Sequence, residues 1–152
     1  MLKKIFFIIL SLNLLTHCDY KPLYSNQNNL NYKIVISSYT GDKYINNLLI
    51  SNLKRNSRDQ SDKKINLSFD TKYTKNILAK DSTGTITDYQ SDVVITFVIT
   101  KENISENFVV TEKFNFKKMT DKYEEKNYER NIMKNIANSI SQKLILRLAV
   151  IE

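Results

Sequence analysis

Apolar and polar positions along this chain switch between a period of two and a period near 3.6, and the switches mark the elements. Lys33–Ser38 (KIVISS) is a short apolar run bounded by polar residues, which predicts a strand. Thr40-Gly41-Asp42 reads as a turn that ends in a helix N-cap. Ile45, Leu48, Leu49 and Leu53 follow with helical spacing, so an amphipathic helix is predicted over Lys43–Arg58. From Lys63 the period drops to two. Ile65, Leu67, Phe69, Thr71 and Tyr73 alternate with Asn66, Ser68, Asp70, Lys72 and Thr74, the pattern of a strand with one wet face.

Asp81-Ser82-Thr83-Gly84 is a turn signal. Beyond it, Tyr89, Ser91, Val93, Ile95, Phe97 and Ile99 fall on one face of a long strand. Val94, Thr96 and Val98 make its other face apolar enough to place it centrally in a sheet. Lys101–Glu106 reads as a polar turn. Phe108, Val110, Phe114 and Phe116 then share a strand face on which Glu112 is the exception. Finally Asp121 and Glu124 form an N-cap with a reciprocal Glu. Tyr128, Ile132, Ile136, Ile140, Leu144 and Leu148 recur every four residues behind it, predicting a helix from Lys122 to Val150. At 1.5 Å per residue that helix is about 45 Å long, longer than the predicted strands, so one end of it is expected to project.

The resulting order, β-α-β-β-β-α, predicts a single α+β domain over 33–152. Its architecture is a four-stranded, mostly antiparallel sheet with two helices packed on one face. A chain of 152 residues is large enough for one hydrophobic core.

The N-terminus follows a different logic. Lys3 and Lys4 precede an apolar run from Ile5 to Leu15, interrupted only by Ser11 and Asn13. A basic start and a short apolar run are the parts of a secretory signal peptide, assigned to residues 1–17. The run falls short of the ~20 apolar residues that span a bilayer. Residues 18–32, with the only Pro (Pro22) and an Asn-rich stretch, read as an extended tether.

Composition then removes most catalytic chemistry. The chain has one His (His17), one Cys (Cys18) and no Trp. An ordinary His/Cys zinc site within one chain is therefore excluded, as is a disulfide framework. Nucleophilic or acid–base chemistry through His would depend on His17 alone, and cleavage before Cys18 removes it. The mature chain would fall from 152 to 135 residues, and loss of Lys3 and Lys4 would lower the formal charge from +7 to +5. The only glycines, Gly41 and Gly84, form no phosphate-cradling loop, so no cofactor is expected, and an enzyme would have to rely on carboxylates, Lys or Tyr alone. Acidic residues interleave with the 19 lysines, so no basic stripe for nucleic acid emerges. In a meander, however, the end of one strand, the start of the next and the end of the third meet. That gathers Lys75, Lys80, Lys117 and Lys118, with Lys72 nearby, at one edge. Point-charge lysines beside apolar surface suit a phosphorylated lipid, whose anionic head group and acyl chains need both.

Leu15-Thr16-His17-Cys18 resembles the lipobox of bacterial lipoproteins, with His17 where Gly, Ala or Ser is usual. The resemblance implies acylation of Cys18 and a lipid anchor in a membrane. Cys18-Asp19-Tyr20-Lys21-Pro22-Leu23-Tyr24 is similar to the mature start of lipopolysaccharide-assembly lipoproteins of the LptE family, especially the alphaproteobacterial type. Asp81–Tyr89 resembles that family's turn into its central strand, although Asp88 stands where a basic residue would be expected. The resemblance implies an outer-membrane lipoprotein facing the periplasm. It would plug the β-barrel of the lipopolysaccharide translocon, assist its assembly and bind lipopolysaccharide, and it would be no enzyme. Asp19 opens an alternative, because an acidic residue after the acylated Cys favours inner-membrane retention in enterobacteria. The chain would then be a periplasmic, membrane-tethered interaction module with a different partner.

Overall fold

The computed structural model describes residues 32–151; the segment read as a signal peptide, Cys18 and the expected tether up to residue 31 lie outside them. The elements are β1 (Lys33–Gly41), α1 (Lys43–Asn56), β2 (Lys64–Lys80), β3 (Ile86–Lys101), β4 (Ile104–Lys117) and α2 (Lys122–Val150). They form one sheet of order β1-β2-β3-β4. β1 is parallel to β2 and α1 is the crossover between them, while β2, β3 and β4 form an antiparallel meander. The architecture is therefore the expected α+β fold with a mixed, mostly antiparallel sheet.

Gly41 makes the parallel pairing possible. Its φ is +89°, and a Cβ there would lie 1.9 Å from the Thr71 carbonyl oxygen. The chain turns tightly against β2, with Asp42 N–H donating to Thr71 O at 3.0 Å. The Asp42 side chain then caps α1 by accepting from Ile45 N–H at 2.8 Å. At the other helix, Asp121 accepts from Tyr123 and Glu124 N–H.

Both helices cover one sheet face. Ile45, Leu49 and Leu53 of α1 meet Ile140, Leu144 and Leu148 of α2 over Ile65, Leu67, Val93, Ile95, Phe97 and Ile99. The opposite face carries Asn66, Asp70 and Lys72 from β2 and Thr111, Lys113 and Asn115 from β4, all exposed. Glu112 lies on the helix side of β4, as the pattern required, and is satisfied there. Its carboxylate accepts from Ser139 Oγ at 2.8 Å and pairs with Lys143 Nζ at 2.7 Å, both on α2.

β2 and β3 are longer than the alternation showed, because β2 continues through Asn76–Lys80, where the period is lost. At ~3.3 Å per residue β3 is about 53 Å long, whereas α2 is about 43 Å, so the helix runs the length of the sheet without projecting. β1 pairs with β2 only from Lys64 to Thr71. The sheet thus has a proximal half, where Tyr32 enters, with four strands and both helices. Its distal half has three strands and only the first turns of α2.

Candidate functional site

The register brings three of the anticipated lysines to the distal end. Lys80 lies opposite Ile86, Lys117 lies opposite Asp88, and Lys118 N–H donates to Thr87 O at 2.7 Å. All three side chains are exposed. The turn between β2 and β3 is shaped by Asp81, whose carboxylate accepts from Thr83 N–H at 2.8 Å, Thr83 Oγ1 at 2.6 Å and Thr85 N–H at 3.0 Å. Those bonds, led by the one from Thr83 Oγ1, hold the Asp81 carboxyl below its ordinary range. Gly84 closes the turn at φ +83°. The cationic end is therefore mixed, with Asp81 and Asp88 among the lysines.

Lys75 is placed differently. It sits opposite Ser91, five residues below Lys80, on the face that carries the helices. Its Nζ lies 3.1 Å from Glu125 Oε1, in the first turn of α2, and 2.9 Å from Glu129 Oε2, one turn further on. It also rests over the rings of Tyr89 (4.3 Å) and Phe116 (5.0 Å). Burial works against the Lys75 charge, but the bonds to Glu129 and Glu125 outweigh it and raise its pKa. Burial likewise raises Glu125, yet Met119 N–H, Lys75 and Lys118 together lower it. Tyr73 donates to Glu129 and shares a hydrogen bond with buried Ser91 at 3.1 Å. Burial, reinforced by the Glu129 bond, pushes the Tyr73 phenol far up. These groups form a latch that fastens the start of α2 to the distal strands. Sequence reasoning placed Lys75 at the cationic edge; the helix–strand pairing that engages it joins residues 50 and 54 positions apart, which periodicity does not report.

At the proximal end, Tyr32 is 2% exposed. Lys101 Nζ donates to the Tyr32 hydroxyl and to the Ile151 carbonyl, each at 2.9 Å, and lies 4.8 Å from the Tyr32 ring centroid. Arg58 N–H donates to Tyr32 O and Lys33 N–H to Lys63 O. Tyr32 is thus clamped to β3, to the residue that follows α2 and to the loop after α1. Among the described residues no three metal-ligating side chains converge, and no helix is long and apolar enough to cross a membrane.

This arrangement defines a class, a mixed four-stranded sheet layered by two helices on one face. Within it, the particular fold is that of several bacterial lipoproteins. The chain is similar to the rare lipoprotein B from Shewanella oneidensis, with a TM-score of 0.57, 15% identity, and coverage of 76% of this chain and 93% of that one. It is also similar to a minor lipoprotein from Acinetobacter baumannii, with a TM-score of 0.52, 16% identity, and coverage of 76% and 94%. A lipoprotein from Caulobacter crescentus CB15 shares the fold at a TM-score of 0.52 and 11% identity, with coverage of 79% and 88%. No family model matches the chain, and no curated protein matches it.

Proposed function

We propose that this chain is a lipid-anchored outer-membrane lipoprotein of the LptE family, of the alphaproteobacterial pattern, and a component of the lipopolysaccharide translocon. In this reading Cys18 carries the acyl chains. The domain plugs the lumen of the partner β-barrel, helps it assemble and binds lipopolysaccharide on the way to the outer leaflet. The observation that carries the proposal is a rare-lipoprotein-B fold standing directly behind the Cys18–Tyr24 segment.

Three physical features support it. The sheet is about 50 Å long, comparable to the ~40–45 Å thickness of a bilayer with its head groups, so one domain can reach from one leaflet to the other. The uncovered sheet face is rich in Asn, Thr and charged residues, which suits the polar lumen of a large barrel. At the distal end Lys80, Lys117 and Lys118 offer three exposed ammonium groups for phosphates. Lys75 contributes there by holding α2 in place. The role is binding and assembly, and no catalytic step is assigned.

Asp19 favours a second reading, an inner-membrane lipoprotein with another periplasmic partner. Affinity isolation from detergent-solubilised membranes through a C-terminal tag, with intact-mass measurement, separates the two. An acylated Cys18 and a stoichiometric outer-membrane barrel are expected. An acylated bait from the inner membrane, or one without a barrel, overturns the translocon reading. Within that reading, Lys80→Glu, Lys117→Glu and Lys118→Glu combined weaken lipopolysaccharide binding by the folded protein. Unchanged binding removes the lysine assignment.

A further inference from the structure

The last two turns of α2 read Leu144-Ile145-Leu146-Arg147-Leu148-Ala149-Val150, followed by Ile151, and are apolar almost all round. The core uses one side of this segment, where Leu144 and Leu148 are fully buried. Leu146 and Val150, one helical turn apart, point the other way and are 68% and 76% exposed. Ile104, at the start of β4, is 72% exposed at the same end of the molecule. It lines a cleft of about 200 Å³ with Ile99, Lys101, Glu102, Glu106 and Ile151. Arg147, the one charge in the helical run, is turned toward β4, with its Nε 2.9 Å from Glu106. These three apolar side chains are therefore left over after the core is built.

What covers them follows from where the chain enters. Tyr32, the first described residue, is bonded through Lys101 to Ile151, at the end of α2. Fourteen peptide steps separate Tyr32 from Cys18, a reach of at most ~46 Å at 3.3 Å per residue. Lys33 and Lys64 lie side by side at this end, and Lys63 stands 5.8 Å from the Tyr32 ring centroid. Apolar side chains beside ammonium groups are what an interfacial membrane contact requires, with the former at the acyl boundary and the latter at the phosphates.

We propose that the proximal end is a membrane foot, in which Ile104, Leu146 and Val150 seat in the leaflet that holds the Cys18 lipid while Lys33 and Lys64 meet its head groups. This rests on the lipid-anchor reading above, and where the domain plugs a barrel it places the proximal end outside the lumen, at the periplasmic mouth. The foot gives the tethered domain a fixed stance, with α2 rising from the leaflet and Lys80, Lys117 and Lys118 at the far end.

The test uses the full chain purified from membranes and reconstituted into phosphatidylethanolamine/phosphatidylglycerol vesicles. Single cysteines at Ile104→Cys, Leu146→Cys or Val150→Cys carry a polarity-sensitive fluorophore, and Thr83→Cys in the distal turn is the wet control. Emission at the three foot positions shifts to the blue, and quenching by aqueous iodide falls several-fold below that at position 83. Leu146→Glu with Val150→Glu abolishes the protection at position 104 without altering the circular dichroism spectrum. Intact mass reads the anchor separately. An acylated Cys18 with foot positions as wet as position 83 sinks the foot and leaves the anchor standing. An unmodified Cys18 with protected foot positions, repeated in a Cys18→Ser background, sinks the anchor and keeps the foot. Protection that occurs in native membranes but not in pure lipid vesicles assigns the patch to a protein wall and overturns the proposal.

Discussion

The two halves of the sheet are held by different forces. In the proximal half, Leu49, Leu53, Ile65, Leu67, Phe97, Ile99, Leu144 and Leu148 are all at most 2% exposed, and stability there comes from apolar burial. In the distal half, α2 has no buried residue before Ile132. It is held by Lys75, Glu125, Glu129 and Tyr73, with the rings of Tyr89, Phe116 and Tyr128 packed nearby. The difference teaches that one continuous helix can be insensitive to pH and salt at one end and responsive at the other. The responsive end is the one that carries the candidate lipid-binding lysines.

The largest test of this contrast is in the proximal core. Leu144→Ala removes a fully buried side chain and is expected to destabilise the whole domain by about 2–5 kcal/mol, read by chemical denaturation. Lys75→Ala leaves two partly buried carboxylates without their cation, and is expected to cost about 1–3 kcal/mol. The loss should be local. Hydrogen exchange should quicken over 122–131 and stay slow over 140–148, whereas uniform acceleration would show that the halves are not separable.

Titration sharpens the comparison further. Glu125 and Glu112 have lowered pKa values, so their contribution is complete above the ordinary carboxylate value of 4.5 and is lost as pH falls through their folded values below it. Lys75 and Tyr73 have raised pKa values. Their contribution is complete below the ordinary values of 10.5 and 10.0 and is lost as pH rises through the folded ones. Protection of the 122–131 amides, relative to their intrinsic exchange rates, should therefore fall at both extremes and hold steady between them. The smallest expected effect is that of Glu112→Gln, which weakens a pair whose lysine is half exposed, by less than about 1 kcal/mol. A larger loss there would mean that polar contacts also matter in the middle of the sheet.

Much of the architecture was legible because its causes are local. The N-caps at Asp42 and Asp121, the turn at Asp81–Gly84 and the helix over Lys122–Val150 each depend on residues within a few positions of one another. Alternation around Ile65–Thr71 and Val93–Ile99 likewise records which face is buried. Glu112 looked like a break in its strand face, because its partners Ser139 and Lys143 lie on α2 and leave no trace in the strand's own pattern. β2 was underestimated for a related reason. Its distal residues have no partner strand on one side, and Ile77 and Leu78 are both about half exposed, so alternation fades there while pairing to β3 continues.

By itself, the sequence determined the order of the elements, the single layer of helices and the scarcity of His and Cys, one of each at positions 17 and 18, since periodicity, capping and composition can be read along the chain. Only the tertiary structure decided that β1 runs parallel to β2, that Lys80, Lys117 and Lys118 share one end while Lys75 is latched beneath α2, and that Ile104, Leu146 and Val150 are left uncovered beside the tether. The physical reason is distance along the chain. Ion pairs and leftover apolar surface arise from segments tens of residues apart, and they exist only once the core has brought those segments together.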